Sequence, residues 1–221
     1  MESRVNTLGL KKHTIAYFFN MPKESHGDRR RQDILLAAAD LSTSEGLDSL
    51  SFSRIAREVG LTKAGVAGHF EWKEGLQLAV IDVAATQYAA PLVAAAKASA
   101  PGLPRLRALA LAWFGHLELI DYRGGCFFAS AGLAFAGRSG LVRDALAEHT
   151  LLLVQVLEEQ ANLALRLGEI RSDMSPDLLV FKIRSLAQEA NLRRELLGVE
   201  DAFEQARTAL DEVLAAGSCE D

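Results

Sequence analysis

Few side chains in this sequence have the spacing that catalysis requires. The five histidines stand apart from one another, and no His-x-Glu or Cys-x-x-Cys pair offers the spacing of a metal site. Gly124–Gly125 lacks the later glycine and the lysine that a phosphate-binding loop requires. We therefore expect no catalytic residues, no cofactor and no metal ion, and a small-molecule-binding helical enzyme stays only as an alternative.

Composition and apolar runs indicate a folded protein of the cytoplasm. Hydrophobic residues make up 49% of the chain, which excludes a disordered protein. Charges interrupt each long apolar stretch, so we predict no membrane span, and the apolar run His13–Met21 is too short for a signal peptide with a cleavage site. The two cysteines, Cys126 and Cys219, build no disulfide framework and fit a reducing compartment.

Charge is unevenly distributed along the chain. The net charge is −5, yet residues 1–73 hold 11 Lys and Arg against 9 Asp and Glu, while the remainder holds 13 against 20. A mildly basic N-terminal part followed by an acidic remainder permits DNA contact by the N-terminal part.

The apolar pattern is helical almost throughout, and no segment shows the sustained alternation of a strand. The pattern predicts a first helix with the stripe Ile34, Ala37, Ala38 and Leu41 that ends at Gly46, a short apolar helix after Gly125, and further helices over Phe52–Val59, Lys63–Phe70, Lys73–Ala100, Pro104–Asp121, Leu141–Leu167, Pro176–Gly198 and Asp201–Ala216. We predict an all-α fold with a flexible tail over residues 1–28, in which Met21 could be the true start, a three-helix domain over residues 29–76 and a helical bundle over residues 77–221.

The segment from Phe52 to Phe70 has the requirements of a helix-turn-helix. Two short helices that cross steeply need a small residue at the crossing, a turn residue that tolerates positive φ and a branched apolar residue in the second helix. Ala56, Gly60 and Val66 supply them in that order, at separations of four and six residues. The alternative is an ordinary helical hairpin.

The tetracycline-repressor (TetR) family of transcriptional regulators has a DNA-binding domain that resembles residues 29–76, RRRQDILLAAADLSTSEGLDSLSFSRIAREVGLTKAGVAGHFEWKEGL. The matching pieces are Ile34–Leu41, Glu45–Gly46, Ile55–Ala56, Val59–Lys63, His69–Phe70 and Lys73–Glu74. The resemblance implies that the rest of the chain binds a small molecule and forms a homodimer.

Carried onto this sequence, the resemblance implies that the helix from Lys63 to Phe70 enters the major groove of DNA. Thr62, His69 and Lys73 would contact phosphates, and Lys63 would contact guanine or phosphate. Ser51, the predicted N-cap of the preceding helix, is also expected on the DNA-binding face. Arg31, at the end of the run from Arg29, either belongs to a solvated helix start or reaches the minor groove or phosphates.

The recognition helix departs from the family at one position. The family has an aromatic residue, commonly Tyr, where this chain has Ala67, and Ala64, Gly65 and Gly68 are small as well. Either specificity rests on Lys63, on methyl contacts from Ala64 or Ala67 and on DNA shape, or the site is degenerate and the affinity is modest.

The resemblance also implies that the last two long helices pair with their copies in a dimer. The apolar residues predicted for this interface are Ile183, Leu186, Ala190, Leu197, Phe203, Ala206 and Leu210. The alternative is that these residues face the core of their own subunit.

A ligand cavity within the bundle is implied in the same way, for an apolar or aromatic effector held by one or two polar groups. Its predicted walls are Trp113, His116, Leu117, Cys126, Phe127, Phe128, Phe181 and Glu189. Aromatic residues at helical spacing are also typical of plain core. Cys126 either fills space or reacts with an electrophilic or oxidising effector, because Arg123 could lower the pKa of the thiol.

We therefore predict a dimeric repressor that a small apolar or aromatic effector releases from a palindromic double-stranded DNA operator. A helical DNA-binding protein that senses no ligand is the second alternative. Ligand-dependent release from DNA would separate the two, and turnover of an effector would favour an enzyme.

Overall fold

Helices with apolar stripes make up almost all of the described structure, which is a computed structural model that describes residues 26–218, with side chains from residue 29 onward. Within this range the helices are α1 His26–Glu45, α2 Phe52–Glu58, α3 Lys63–Ala67, α4 Lys73–Ala98, α5 Leu103–Leu119, α6 Phe127–Phe135, α7 Leu141–Leu167, α8 Pro176–Leu197 and α9 Ala202–Gly217. Leu47–Ser49 adds one turn of 3-10 helix. The predicted all-α class is confirmed. Met21, Cys219 and all of the predicted tail except the start of α1 lie outside the described residues.

The helix ends follow local chemistry. Gly168 and Gly198 end α7 and α8 in the left-handed conformation, with φ of 72° and 67°, as the sequence predicts. The recognition helix α3 is shorter than predicted: it ends at Ala67, whereas the sequence predicts an end at Phe70. Beyond that residue the backbone N–H groups of His69 and Phe70 donate to carbonyls only three residues back, so the chain tightens into a turn before α4 begins.

Two hydrophobic cores stabilise the molecule. The first fills the space between α1, α2, α3 and the first half of α4, and it also takes in Phe127, Ala131 and Phe135 of α6 and the start of α7. The second lies between α5, α7, α8 and α9. Phe128 packs against both cores. We call residues 29–76 the head and the residues after them the body. Helix α6 therefore belongs in part to the core of the head, although it lies far beyond residue 76 in the sequence.

Helix α4 connects the two cores. It is the one helix among residues 26–218 that is long and apolar enough, by length and composition, to cross a membrane. This corrects the expectation that charges interrupt every such stretch. Nine of its residues, from Leu76 to Leu92, are buried against neighbouring helices, and a core helix passes the same composition test.

Candidate DNA-binding face and ligand cavity

The helix-turn-helix is capped at both helix starts as the sequence predicts. The Ser51 hydroxyl oxygen accepts a hydrogen bond from the backbone N–H of Arg54 at 3.2 Å, and that of Thr62 accepts one from Gly65 at 3.0 Å. Between the helices Gly60 adopts φ of 68°, and the N–H of Leu61 donates to the carbonyl of Ala56 at 2.9 Å. A positive φ here explains why a glycine stands in the turn.

Buried apolar residues hold α2 and α3 at their crossing. Ile55, Ala56 and Val66 are all buried in the core of the head. Below them the rings of Phe52 and Phe70 stack with centroids 6.5 Å apart. Gly60 has the positive φ predicted for the turn, and Ala56 and Val66 are buried as predicted. The two helices are not an isolated hairpin, because Ile55, Ala56 and Val66 share one hydrophobic core with residues of α1 and α4.

The outer face of α3 offers few side chains. Lys63, Ala64 and Gly65 are exposed, while Ala67 is half-buried. Lys63 is the one charged side chain of this helix. Because Thr62 uses its hydroxyl oxygen as an acceptor, its hydroxyl hydrogen stays available to a phosphate.

The side chains beside α3 are less free than the sequence suggests. The Arg31 guanidinium lies 5.2 Å from the ring centroid of Phe70, and the Lys73 ammonium donates to the backbone carbonyl of Asp48. His69 is half-buried against the Phe70 ring. Arg31, His69 and Lys73 thus lie on the surface predicted to face DNA, but they also support the head.

Sequence reasoning overlooked Trp72. Its side chain is 56% exposed at the residue before α4 begins. A large aromatic residue between charged neighbours, outside any apolar stripe, is the signal that could have revealed it.

An ion-pair network joins the head to the loop between α5 and α6. Arg54 pairs with Glu45 at 2.6 Å and with Glu58 at 2.8 Å. Arg123, in that loop, pairs with Asp40 of α1 at 3.0 Å and with Glu58 of α2. The hydrogen bond from Arg123, followed by that from Arg54, holds the pKa of Glu58 below its usual value.

The same loop is tied by its backbone on two sides. The Gly124 N–H donates to the Thr43 hydroxyl at 3.0 Å, and a Cβ on Gly124 would lie 2.6 Å from the carbonyl carbon of Thr43. On the other side, the Cys126 N–H donates to the side-chain oxygen of the buried Asn191 in α8 at 3.2 Å. The loop therefore connects α1 of the head with α8.

A cavity of about 230 Å³ lies between α4, α5 and α7. Apolar side chains form most of its wall, and Phe128 of α6 contributes at one place. The apolar and aromatic lining residues are Ala85, Tyr88, Ala89, Leu92, Val93, Ala96, Leu109, Phe128, Leu152, Leu153 and Val156. Such a lining suits a small apolar molecule.

Four polar side chains complete the lining: Arg105, His149, Glu159 and Gln160. Nε2 of His149 lies 3.4 Å from the Asp82 carboxylate, whereas Nδ1 of His149 is buried without a hydrogen-bond partner among the described residues. Among the same residues no three His, Cys, Asp or Glu side chains are grouped as a metal site.

Most of the residues predicted as ligand contacts do not line this cavity. Phe128 lines the cavity. Trp113 and His116 lie behind Tyr88, with ring centroids 6.2 Å and 5.3 Å from its ring, and do not line the cavity. Buried core positions are occupied by Leu117, Cys126 and Phe127, and exposed surface positions on α8 by Phe181 and Glu189. The reason is that α5 presents its aromatic residues to the core, while α4 and α7 form the cavity wall.

Cys126 has the surroundings of a structural thiol. It is 3% exposed, and burial raises the pKa of the thiol, which is the opposite of what a reactive thiolate needs. Arg123, which could have lowered that pKa, is directed to Asp40 and Glu58 instead. These observations favour the alternative in which Cys126 fills space in the core.

The residues predicted for the dimer interface differ in their exposure within one subunit. Most of its residues are buried in the core of their own subunit, namely Ile183, Ala190, Phe203, Ala206 and Leu210, while Leu186 is half-buried and Leu197 is exposed. The exposed apolar stripe of α8 is instead Leu178, Phe181, Leu192 and Leu196, and we call it the α8 stripe. Its spacing of three, eleven and four residues keeps one face of the helix, and this periodicity was visible in the sequence.

Comparisons with known proteins agree with this architecture. Residues 34–80 match a family model described as bacterial regulatory proteins, tetR family, and residues 102–210 match one described as tetracyclin repressor-like, C-terminal domain. No curated protein sequence matches the chain.

Solved structures of transcriptional regulators share the fold. A TetR-family regulator from Cytophaga hutchinsonii superposes with a TM-score of 0.74 at 20% identity, over 90% of this chain and 100% of that one. A TetR regulator from Chloroflexus aurantiacus gives 0.73 at 22% identity, over 87% and 97% of the two chains. A ketosteroid transcriptional regulator from Mycobacterium tuberculosis gives 0.68 at 20% identity, over 86% and 96%. Since the DNA-binding and C-terminal family models follow each other along a chain with this fold, the protein belongs to the TetR family of bacterial transcriptional regulators.

Proposed function

We propose that the protein is a cytoplasmic, homodimeric repressor that a small apolar or aromatic molecule releases from its operator. The observation that carries this proposal is the position of the cavity. Phe128 lines the cavity and packs against both hydrophobic cores, so a molecule that moves Phe128 acts directly on the core that supports the head.

DNA reading is assigned to the exposed face of α3. Lys63 is the side chain that reaches a base edge or phosphate, and Ala64 and Gly65 allow the backbone to approach the groove closely. With so few side chains, part of the specificity comes from DNA shape. Thr62 and Ser51 supply hydroxyl groups at the starts of the two helices, and Trp72 adds an exposed aromatic ring nearby.

Dimerisation is assigned to the α8 stripe, together with the outer face of α9. Phe181 is 66% exposed, and Leu178, Leu192 and Leu196 are at least half exposed, which is unusual for large apolar side chains on one helix face. A two-fold dimer places two copies of α3 on one side of DNA, so the operator should be a near-palindrome with half-sites about one helical turn, roughly 34 Å, or a small multiple apart.

Coupling between cavity and head is assigned to α6 and the loop before it. A ligand can shift an equilibrium only through different contacts in the two states. Displacement of Phe128 would disturb α6, whose residues Phe127 and Ala131 lie in the core of the head, and would strain the Arg123 pairs with α1 and α2.

The test begins with selection of bound duplexes from a random DNA pool. The recovered site should be palindromic, and its affinity should fall steeply with salt as counterions are released. Metabolites are then screened for release of that duplex in fluorescence anisotropy. Lys63→Ala should weaken binding by about 1–3 kcal/mol if Lys63 pairs with guanine, with loss of discrimination at that base.

Arg166→Ala is the matched control, because Arg166 is an exposed cation near the end of α7 outside the head. Its DNA affinity should equal that of the wild type. If no duplex shows salt-sensitive binding, the protein is not a DNA-binding repressor. If DNA is bound but no small molecule ever releases it, the protein regulates without sensing a ligand.

A further inference from the structure

We propose that the effector is an elongated carboxylic acid, whose carboxylate binds Arg105 at one end of the cavity while its apolar body lies between α4 and α7. This inference rests on the proposed function of the cavity as the effector site. It narrows that function to one chemical class.

The cavity is long and narrow. Its lining residues extend along α7 from His149 to Gln160 and along α4 from Ala85 to Ala96. Twelve residues of helix on each side, with eleven rises of 1.5 Å between them, correspond to about 16 Å. With a volume of about 230 Å³, this length leaves room for an extended chain or a narrow ring system rather than a bulky molecule.

The middle of the cavity offers no polar group. Leu92, Val93, Leu109, Leu153 and Val156 line it from three helices. The far end, near Asp82 and His149, is closed by aromatic rings, since Tyr88 and Phe128 lie edge to face with centroids 5.5 Å apart. Burial of hydrocarbon against these side chains stabilises a complex by about 25 cal/mol per Å². The body of the ligand is therefore apolar over most of its length.

The end beside α5 is polar, with Arg105, Glu159 and Gln160 in its lining. Arg105 is half-buried, and its Nε and Nη2 donate to the carbonyl oxygen of Ser99 at 3.3 Å and 2.8 Å. No carboxylate among the described residues lies within ion-pair distance of this guanidinium. Gln160 holds the Gly102 N–H at 3.2 Å, and Glu159 is exposed.

Two charged side chains lie at this end of the cavity. Arg105 is half-buried, whereas Glu159 is exposed, so its carboxylate can turn to water, where its charge is screened from the cavity. Partial burial raises the pKa of Glu159 above its usual value. The guanidinium of Arg105 is therefore the charged group that stays beside a ligand in the cavity.

A neighbouring arginine shows the contrast. Arg107, two residues further along α5, pairs with both carboxylate oxygens of Asp211 at 3.0 Å and 3.2 Å. Arg105 has donors left over and lines the cavity. A ligand carboxylate would supply the missing partner, and charge-assisted hydrogen bonds of this kind are among the strongest in proteins.

The experiment compares three ligands with the same ten-carbon chain: decanoate, decanol and decylamine. Binding is measured by titration calorimetry at concentrations below micelle formation, and release of the selected operator by anisotropy. We expect decanoate to bind the wild type about tenfold or more tightly than the other two. Arg105→Gln should lose this preference and leave the affinity for decanol unchanged, while the control Arg107→Gln should keep it.

Arg105→Lys keeps the charge without the fork of donors, and retention of a reduced preference for decanoate in that variant supports the proposal even if Arg105→Gln does not fold. Equal binding of the three ligands, tighter binding of decylamine, or an undiminished preference in folded Arg105→Gln overturns the inference. If all three fail to bind but a molecule of another class releases the operator, the carboxylic acid is wrong and the sensing function stands. Loss of the sensing function requires that no small molecule releases the operator.

Discussion

Several charged side chains of the head have partners within the protein, whereas two polar side chains of the cavity lining have donors or acceptors left without a partner among residues 26–218. In the head, Arg54 bridges two carboxylates, the ammonium of Lys73 is bound to a backbone carbonyl, and two further carboxylates are bridged by Arg123 from the loop between α5 and α6. Around the cavity, Arg105 has no carboxylate partner among the described residues, and a buried ring nitrogen of His149 has no partner at all among them.

This difference is what the proposed function requires, with polar groups that stabilise the head and polar groups that stay available beside the cavity. Paired charges restrict the side chains that make them, and the pairs of Arg54 and Arg123 join α1 and α2. Unpaired polar atoms beside an apolar cavity cost free energy until a ligand satisfies them. The loop that contains Arg123 lies between the two regions, and its substitution tests how far they act together.

The largest expected effect comes from a charge on the α8 stripe. Phe181→Asp should convert the dimer to a monomer, because a desolvated charge in an apolar interface is costly. The affinity for a palindromic operator should fall on the order of 100-fold or more, since each head then binds alone. Sedimentation and anisotropy measure the two effects.

Leu133→Asp is the matched control for this variant, since Leu133 is an equally exposed apolar residue on α6. It should leave both the dimer and DNA binding intact. A Phe181→Asp protein that remains dimeric at micromolar concentration would place the interface elsewhere.

The next largest effect is expected from a steric clash where the loop between α5 and α6 packs on α1. Gly124→Ala should lower the free energy of unfolding by about 1–3 kcal/mol, because the added Cβ meets the backbone of Thr43 in α1 and no flexible side chain can yield. Urea unfolding measures the change. Gly132→Ala, in α6, is the control: its Cβ meets nothing within 4 Å, so stability should stay equal or rise. Equal stability of the two variants would show that the loop is not packed on α1.

A smaller effect on stability, but a selective one on function, is expected for Arg123→Gln. Arg123 and Arg107 are similarly exposed, at 48% and 49%, and both pair with carboxylates, so each substitution should cost less than about 1 kcal/mol of stability. Only the Arg123 pairs join the body to α1 and α2. Operator affinity should therefore fall several-fold in Arg123→Gln and stay unchanged in Arg107→Gln. The same loss in both variants would contradict a connecting role for Arg123.

The smallest effect is a difference in pH response. Burial lowers the pKa of His116, so its contribution to stability is complete above about pH 6.5 and declines as pH falls below that value. The lowered pKa of Glu58 affects stability at lower pH than His116 does. Its contribution to stability is lost only as pH falls below the ordinary carboxyl pKa of about 4.3. The change in melting temperature between pH 7 and 5 should therefore depend on His116 in the body and not on Glu58 in the head.

His116→Gln should flatten the fall in melting temperature between pH 6.5 and 5, whereas Glu58→Gln should leave that range unchanged and alter the response below it. An unchanged slope between pH 6.5 and 5 in His116→Gln would assign the titration to another group.

The helix-turn-helix was predictable because its determinants are local. Ser51 and Thr62 cap helices that begin at the next residue, and Gly60 allows a turn that needs positive φ. These interactions span three residues or fewer, so the sequence contains them completely. The residues that contact DNA stay a prediction.

The dimer face stays a prediction, because α8 is apolar on two sides. Ile183 and Ala190 follow one helical face and Phe181 and Leu192 another, and both have the composition of an interface. Hydrophobic burial has no direction of its own, so the pattern cannot say which face meets α9 and α5 of the same subunit.

By itself, the sequence determined the all-α class, the ends of α7 and α8 at Gly168 and Gly198, the helix-turn-helix and the resemblance to the TetR family, because each depends on periodicity or on contacts within a few residues. Only the tertiary structure decided that Arg105, His149 and Glu159 line one cavity and that Cys126 is core. Residues 105 and 159 meet through the packing of helices far apart in the chain. Such packing follows from the shape of all side chains at once, which no local pattern records.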